Sequence, residues 1–193
     1  MKKRLIIIGS IILVILLMAF FFYSKDNFRF KLEYELVNKV ELSNGKKIKV
    51  DIPIDNRVKY VKSGKELINI LKNGSGIVYM GYSTCPWCRN AVPVLIDAVI
   101  KNNVDRLYYA DIHHIDLNDV GEELFKTLDE YLKVKDDGTK VLAVPDVYAV
   151  KNGKILSHHR GCVEDYKNPF KGMTSKQKKE LYDIYTDMIM EVK

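Results

Sequence analysis

The stretch that most restricts what this chain can fold into runs from Gly76 to Cys88, GIVYMGYSTCPWC. Ile77-Val78-Tyr79-Met80 is a continuous apolar run bounded by glycines, the signature of a buried strand. Four residues after Gly81 comes Cys85-Pro86-Trp87-Cys88. Proline suits the first position of a helix, where its missing N–H would have no partner anyway. The spacing therefore predicts a strand, a tight turn, and a helix from about Cys85 to Lys101. A cysteine at a helix N-terminus meets unpaired backbone N–H groups and the positive end of the dipole, and both favour thiolate over thiol. Cys88 lies one turn on, on the same face. This assigns Cys85 as an attacking thiolate and Cys88 as a resolving thiol. C-x-x-C also occurs as half of a zinc site, and two neighbouring buried thiols are a third reading.

The rest of the chain supplies the frame. Lys59-Tyr60-Val61 reads as a short strand. Ser63 and Glu66 form a capping box before Leu67, Ile70 and Leu71, and Asn73-Gly74 ends that helix. Arg106–Ile112 reads as a strand and Asp119–Lys133 as a helix, closed by Asp136-Asp137-Gly138. Asp146–Val150 and Lys154–Ser157 flank the hairpin signal Asn152-Gly153. Thr174 and Gln177 cap a final helix with an apolar stripe through Leu181, Ile184, Tyr185, Met188, Ile189 and Val192. This order predicts an α/β protein: a mixed β-sheet flanked by helices on both faces. Residues 24–57 alternate around Asn44-Gly45 and read as an added hairpin or a stalk.

Leu5 to Tyr23 contains no charge and follows Met1-Lys2-Lys3-Arg4. About 19 helical residues nearly span the ~30 Å bilayer core. The stretch ends in Phe20-Phe21-Phe22-Tyr23, an aromatic belt rather than the small residues of a cleavage site. The expectation is a basic cytoplasmic tip (1–4), a single transmembrane helix (5–23) in contact with lipid, and a domain outside the cytoplasm. The net charge of +6 belongs to lysines dispersed among acids. There is no basic patch with interleaved aromatics, so a nucleic-acid partner is not expected.

Residues 58–193 resemble the thioredoxin-like superfamily. The resemblance rests on VYMGYSTCPWCRNAVP, VPDVYAVKNGK and HHRG. Pro93, five residues after Cys88, stands where thioredoxins carry a helix-kinking proline. Val144-Pro145 stands where the family has a cis-proline facing its disulfide, and Gly161 matches a glycine on the substrate-facing rim. The match is closest to anchored or secreted bacterial members, including those described as bacteriocin-transport accessory or disulfide-isomerase-like proteins. The resemblance implies a thiol–disulfide oxidoreductase with no cofactor. Its partners would be protein thiols and disulfides and a membrane or extracytoplasmic redox partner. Whether it works as reductase, oxidase or isomerase stays open. Val144 and Pro145, with Pro86 and Trp87, would line the substrate groove.

Three departures stand out. Thioredoxins place a buried carboxylate six residues before the first cysteine; here Tyr79 is there, leaving Asp146 or Asp111 as proton acceptors by proximity. Pro86-Trp87 replaces Gly-Pro. The segment 116–143 is longer than the family's and carries a helical insertion. Cys162, the odd thiol, sits beside Gly161 and is a candidate third redox group. Two rival functions remain. Cys85, Cys88, Cys162 and one histidine from His113-His114 or His158-His159 could form a metal site, and a copper-handling protein would combine the two cysteines of the pair with His158 or His159. A non-catalytic module would use the groove to bind an extended peptide.

Overall fold

The computed structural model describes residues 12–14, 17 and 25–193. The 5–23 stretch and the basic tip fall outside these, apart from Ile12–Val14 and Leu17, which are helical and exposed. Among the described residues no helix is long and apolar enough to cross a membrane.

The elements are α1 (Asp26–Leu36), β1 (Val58–Tyr60), α2 (Gly64–Asn73), β2 (Gly76–Gly81), α3 (Pro86–Lys101), β3 (Leu107–Asp111), α4 (Gly121–Thr127), β4 (Lys133–Val134), β5 (Lys140–Val141), β6 (Asp146–Lys151), β7 (Lys154–Arg160) and α5 (Ser175–Val192). Five strands form one sheet in the order β1-β3-β2-β6-β7. β1 and β2 run parallel to β3, while β6 is antiparallel to β2 and β7 to β6. The sheet is mixed because helices join its first strands and a two-residue turn joins its last. Asn152 and Gly153 both have positive φ in that turn, as a tight hairpin of this kind requires.

Period-two alternation divides the side chains between two cores. Ile77 and Tyr79, Leu107 and Tyr109, Val147 and Ala149 face one side, with α1, α3 and α5. Val78, Met80, Ala110, Tyr148 and Val150 face the other, with α2 and α4. The caps read from the sequence form in part. Thr174 and Gln177 make a full capping box on α5. Ser63 caps α2, but Glu66 reaches past it to the Lys62 amide.

Residues 25–57 form neither a strand hairpin nor a stalk. The Asn44-Gly45 turn is present, with the Gly45 amide donating to the Leu42 carbonyl. The Leu42 amide also donates across it to the Lys46 carbonyl at 2.9 Å, but no strand ladder continues from there, and α1 takes the strand's place. Phe30 and Tyr34, one helical turn apart, are both fully buried, and aromatic contacts tie them to Tyr109. The returning chain satisfies its backbone on side chains of the α1 region. Asn38 donates to the Val50 carbonyl and accepts from the Val50 amide, each at 2.8 Å, and Glu35 accepts from the Ile52 amide at 2.9 Å. The alternation seen in the sequence is real at Val50 and Ile52, which are buried between exposed neighbours, but its partner is a helix.

The helix expected over 119–133 is shorter. α4 ends at Thr127 and a 3₁₀ turn covers Asp129–Tyr131. The Arg160 guanidinium takes the Tyr131 carbonyl, which holds that turn against β7. The exposed β4–β5 ladder follows, with no apolar signal that could have announced it.

Because α1 is part of the core, Phe30→Ala should cost about 3–5 kcal/mol of stability, against a cost within about 0.5 kcal/mol for a residue on a solvated stalk. Urea unfolding of the full chain separates the two outcomes.

Candidate active site

β2 delivers the chain to the N-terminus of α3, where Cys85 is the N-cap residue and Pro86 the first helical one. The Cys85 Sγ accepts a hydrogen bond from the Cys88 amide at 3.3 Å. It therefore fills the role that a serine or aspartate oxygen fills at an ordinary helix start. Cys85 is 4% exposed and Cys88 wholly buried, and both are free thiols. The two environments push them apart. The hydrogen bond from the Cys88 thiol, with those from the Cys88 and Trp87 amides, overcomes burial and brings Cys85 down to about 7. Burial, then the Cys85 sulfur, hold Cys88 well above the usual thiol range. One sulfur is thus set up as a thiolate and its neighbour as a stored proton.

The Val144–Pro145 peptide bond is cis, and the Cys85 thiol lies 3.9 Å from the Val144 carbonyl. Pro145 is buried, and its carbonyl accepts from the Gly161 amide at 2.8 Å. So the start of β6 and the end of β7 meet the start of α3. Pro86 and Trp87 are half-buried, and the Trp87 ring packs edge-on against Tyr166. Cys162 comes close to this group. Its thiol lies 3.9 Å from the Trp87 carbonyl, and burial, with the Cys85 sulfur, raises it to about 12. Pro93 sits inside α3 without ending it.

Tyr79 lies on the α3 side of β2, fully buried, with its hydroxyl beside Cys88, so that each shifts the ionisation of the other. Gly81 makes this possible, since a Cβ there would stand 2.1 Å from that hydroxyl. The two aspartates expected nearby are engaged elsewhere. Asp146 accepts from the Tyr148 hydroxyl at 2.9 Å and from Arg160 at 3.1 Å, while burial raises it to about 7. Asp111 holds His114 at 2.6 Å and caps the His113 amide.

Several residues had no place in the sequence reading. Arg89 follows Cys88 and is 1% exposed. Tyr34 brings a hydroxyl 2.8 Å from that of Tyr79. Tyr82 stacks on exposed His113 with centroids 3.7 Å apart, at the mouth of the site. The spacing of Phe30 and Tyr34 was a helical signal, but the alternation of residues 32–42 obscured it. The histidines do not gather at the pair. Among the described residues no three His, Cys, Asp or Glu side chains converge as a metal set.

No family model and no curated protein matches the chain. Solved structures to which it is similar are thioredoxins. Thioredoxin O1 from Arabidopsis thaliana, in its oxidized state, is 19% identical, with 66% of this chain and 96% of that one covered and a TM-score of 0.40. The oxidised thioredoxin from Plasmodium falciparum is 19% identical over 67% and 98%, with a TM-score of 0.38. Thioredoxin from Aeropyrum pernix is 16% identical over 79% and 91%, with a TM-score of 0.40.

The split between the thiols sets a reactivity order. In the reduced protein, alkylation by iodoacetamide should appear at one site, Cys85, with a rate that rises with pH through a midpoint of about 7. Cys88 and Cys162 should label only after unfolding. Peptide mass spectrometry across a pH series reads both results.

Proposed function

We propose that this protein is a thioredoxin-like thiol–disulfide oxidoreductase that acts on other proteins. The observation that carries the reading is the unequal pair at the start of α3: an N-capping Cys85 brought down to about 7 and a buried Cys88 held high. A metal site wants its thiols alike and both deprotonated. Disulfide exchange wants them different.

The steps follow from that difference. The Cys85 thiolate attacks one sulfur of a substrate disulfide. A Cys85–substrate bond forms, the substrate S–S bond breaks, and the first substrate thiolate leaves. Cys88 then loses its proton and attacks the Cys85 sulfur. The Cys85–Cys88 bond forms and the second substrate thiolate leaves, so two electrons have passed from the pair to the substrate. Val144 and Pro145 flank Cys85, and with Pro86 and Trp87 they would line the groove in which an extended substrate segment lies.

A thiolate that is more stable makes its disulfide more oxidising. A Cys85 value of about 7 matches the ~7 typical of thioredoxin and not the ~3.5 of a strong oxidase. This favours donation of electrons, as a reductase or isomerase. Residues 5–23, uncharged and preceded by three basic residues, support a single-pass anchor with the domain on the extracytoplasmic side. Exported proteins are then the substrates, and a membrane partner resupplies electrons.

Reduction of a disulfide-bonded test protein should vanish in Cys85→Ser, and Cys88→Ser should accumulate mixed disulfides that a reductant releases. Retained turnover in Cys85→Ser would remove the assignment. Equilibration with a thiol buffer should place the pair nearer about −270 mV than about −120 mV.

A further inference from the structure

Cys88 is wholly buried, and its proton has to leave before it can attack. The usual carboxylate is absent, since Tyr79 occupies that place. Yet the Tyr79 hydroxyl does not end the path. It lies 2.8 Å from the Tyr34 hydroxyl, and the Tyr34 ring packs edge-on against Tyr109 with centroids 6.3 Å apart, near enough for Tyr109 to shift its ionisation. The Tyr109 hydroxyl donates to the Glu33 carboxylate at 2.9 Å, and the Tyr60 hydroxyl donates to the other Glu33 oxygen. The three tyrosines between Cys88 and Glu33 are fully buried, so bulk water does not stand between them. Glu33 itself is half-buried.

We propose that the hydroxyls of Tyr79, Tyr34 and Tyr109 relay the Cys88 proton to Glu33, which serves as the remote proton acceptor for the resolving step. The proposal rests on the redox reading of the cysteine pair. In the forward direction Cys88 S–H gives its proton to the Tyr79 oxygen as Tyr79 passes its own to Tyr34, Tyr34 to Tyr109, and Tyr109 to the Glu33 carboxylate. Each tyrosine breaks one O–H bond and makes one, so none ends with a charge. Glu33 ends as a carboxylic acid and Cys88 as a thiolate. That thiolate attacks the Cys85 sulfur of the mixed disulfide and expels the substrate thiolate. Afterwards every hydroxyl in the row points back, and Tyr79 donates to the Cys88 sulfur. Reduction of the pair runs the row in reverse.

The electrostatics agree with a relay rather than with storage on a tyrosine. Burial holds Tyr79, Tyr34 and Tyr109 all well above the ordinary phenol range. Burial also raises Glu33, against the hydrogen bonds from Tyr60 and Tyr109. That narrows its distance from the thiol it must serve. The groups facing Glu33 are Tyr60, Tyr109, Tyr34, Asp111, Arg29 and, more weakly, His114. Those facing Cys88 are Cys85, Tyr79, Tyr34, Tyr82 and Tyr185. Apart from the Cys85 thiolate, which is consumed when the mixed disulfide forms, none of the latter is charged.

The test uses the full chain carrying Cys162→Ser, reduced and mixed with 5,5′-dithiobis(2-nitrobenzoic acid). Attack by Cys85 releases one coloured thiolate, and attack by Cys88 on the resulting mixed disulfide releases a second. Glu33→Gln should leave the first phase at its wild-type rate and slow the second by at least about tenfold at pH 7. The inflection that Glu33 gives to the second-phase pH profile should disappear. Tyr79→Phe, which loses only the hydroxyl, should slow the second phase as much, and the double variant should be no slower than the slower single one. A wild-type second phase in Glu33→Gln and Tyr79→Phe, or a slowing with an unchanged pH profile, would overturn the relay. If Glu33→Gln does not fold, Tyr79→Phe and Tyr34→Phe decide by the same two readouts. Failure of the redox reading looks different: the protein with Glu33 and its tyrosines intact then gives no second phase at all.

Discussion

The Arg89 guanidinium holds this structure to its site. It is buried beside Cys88, and among the described residues it has no ion pair. It spends its donors on neutral oxygens: the carbonyls of Ile48 at 2.8 Å, Tyr34 at 2.9 Å and Ser83 at 2.9 Å, and the Asn38 side chain at 2.5 Å. Removing a charge from water is expensive unless every donor is satisfied. Here the satisfaction comes from four separate stretches of chain. α1, the 3₁₀ turn Val37–Lys39 after it, the returning coil and the loop before Cys85 all converge on one side chain of α3. The N-terminal segment and the thiol-bearing helix are therefore coupled through a group that neither can abandon cheaply.

That coupling explains what α1 does beneath the sheet. Substituting a tyrosine for a carboxylate under a pair of thiols leaves a longer, neutral side chain whose hydroxyl needs a partner. Gly81 clears the space above the hydroxyl, and Tyr34 supplies the partner from α1. Stacking of Tyr79 on Tyr109, with centroids 5.4 Å apart, extends the same arrangement across β2 and β3. The interior below the cysteines is thus aromatic, with the Tyr79 and Tyr34 hydroxyls paired and the Glu33 carboxylate at its edge.

The elements most legible in the sequence were those with a local cause. A proline at a helix start, an Asn-Gly hairpin, an apolar run between glycines and a capping box each act within a few residues, so β2, α3, β6, β7 and α5 lie close to where they were expected. The cysteines, too, announced their helix. What stayed hidden depends on contacts across the fold. Val50 and Ile52 alternate like a strand, yet they satisfy their backbone on Asn38 and Glu35, which no period-two pattern can reveal. Arg89 gave no signal in the sequence, and its burial follows only from carbonyls that lie as many as 55 residues away. Tyr79 drew notice only as a missing acid. Its meaning needed Tyr34, 45 residues earlier.

The placement of α1 also bears on how far the site can travel. Only Ser24 and Lys25 separate the uncharged stretch from Asp26, where α1 begins. Two or three residues fully extended give at most about 10 Å of slack. A domain on a long linker sweeps a wide volume and meets whatever diffuses past. With the proposed anchor in a bilayer, this one has almost no leash, because its first helix is already locked into the core. Its working zone is then a thin layer against the membrane, suited to chains that are still emerging from it or are held beside it.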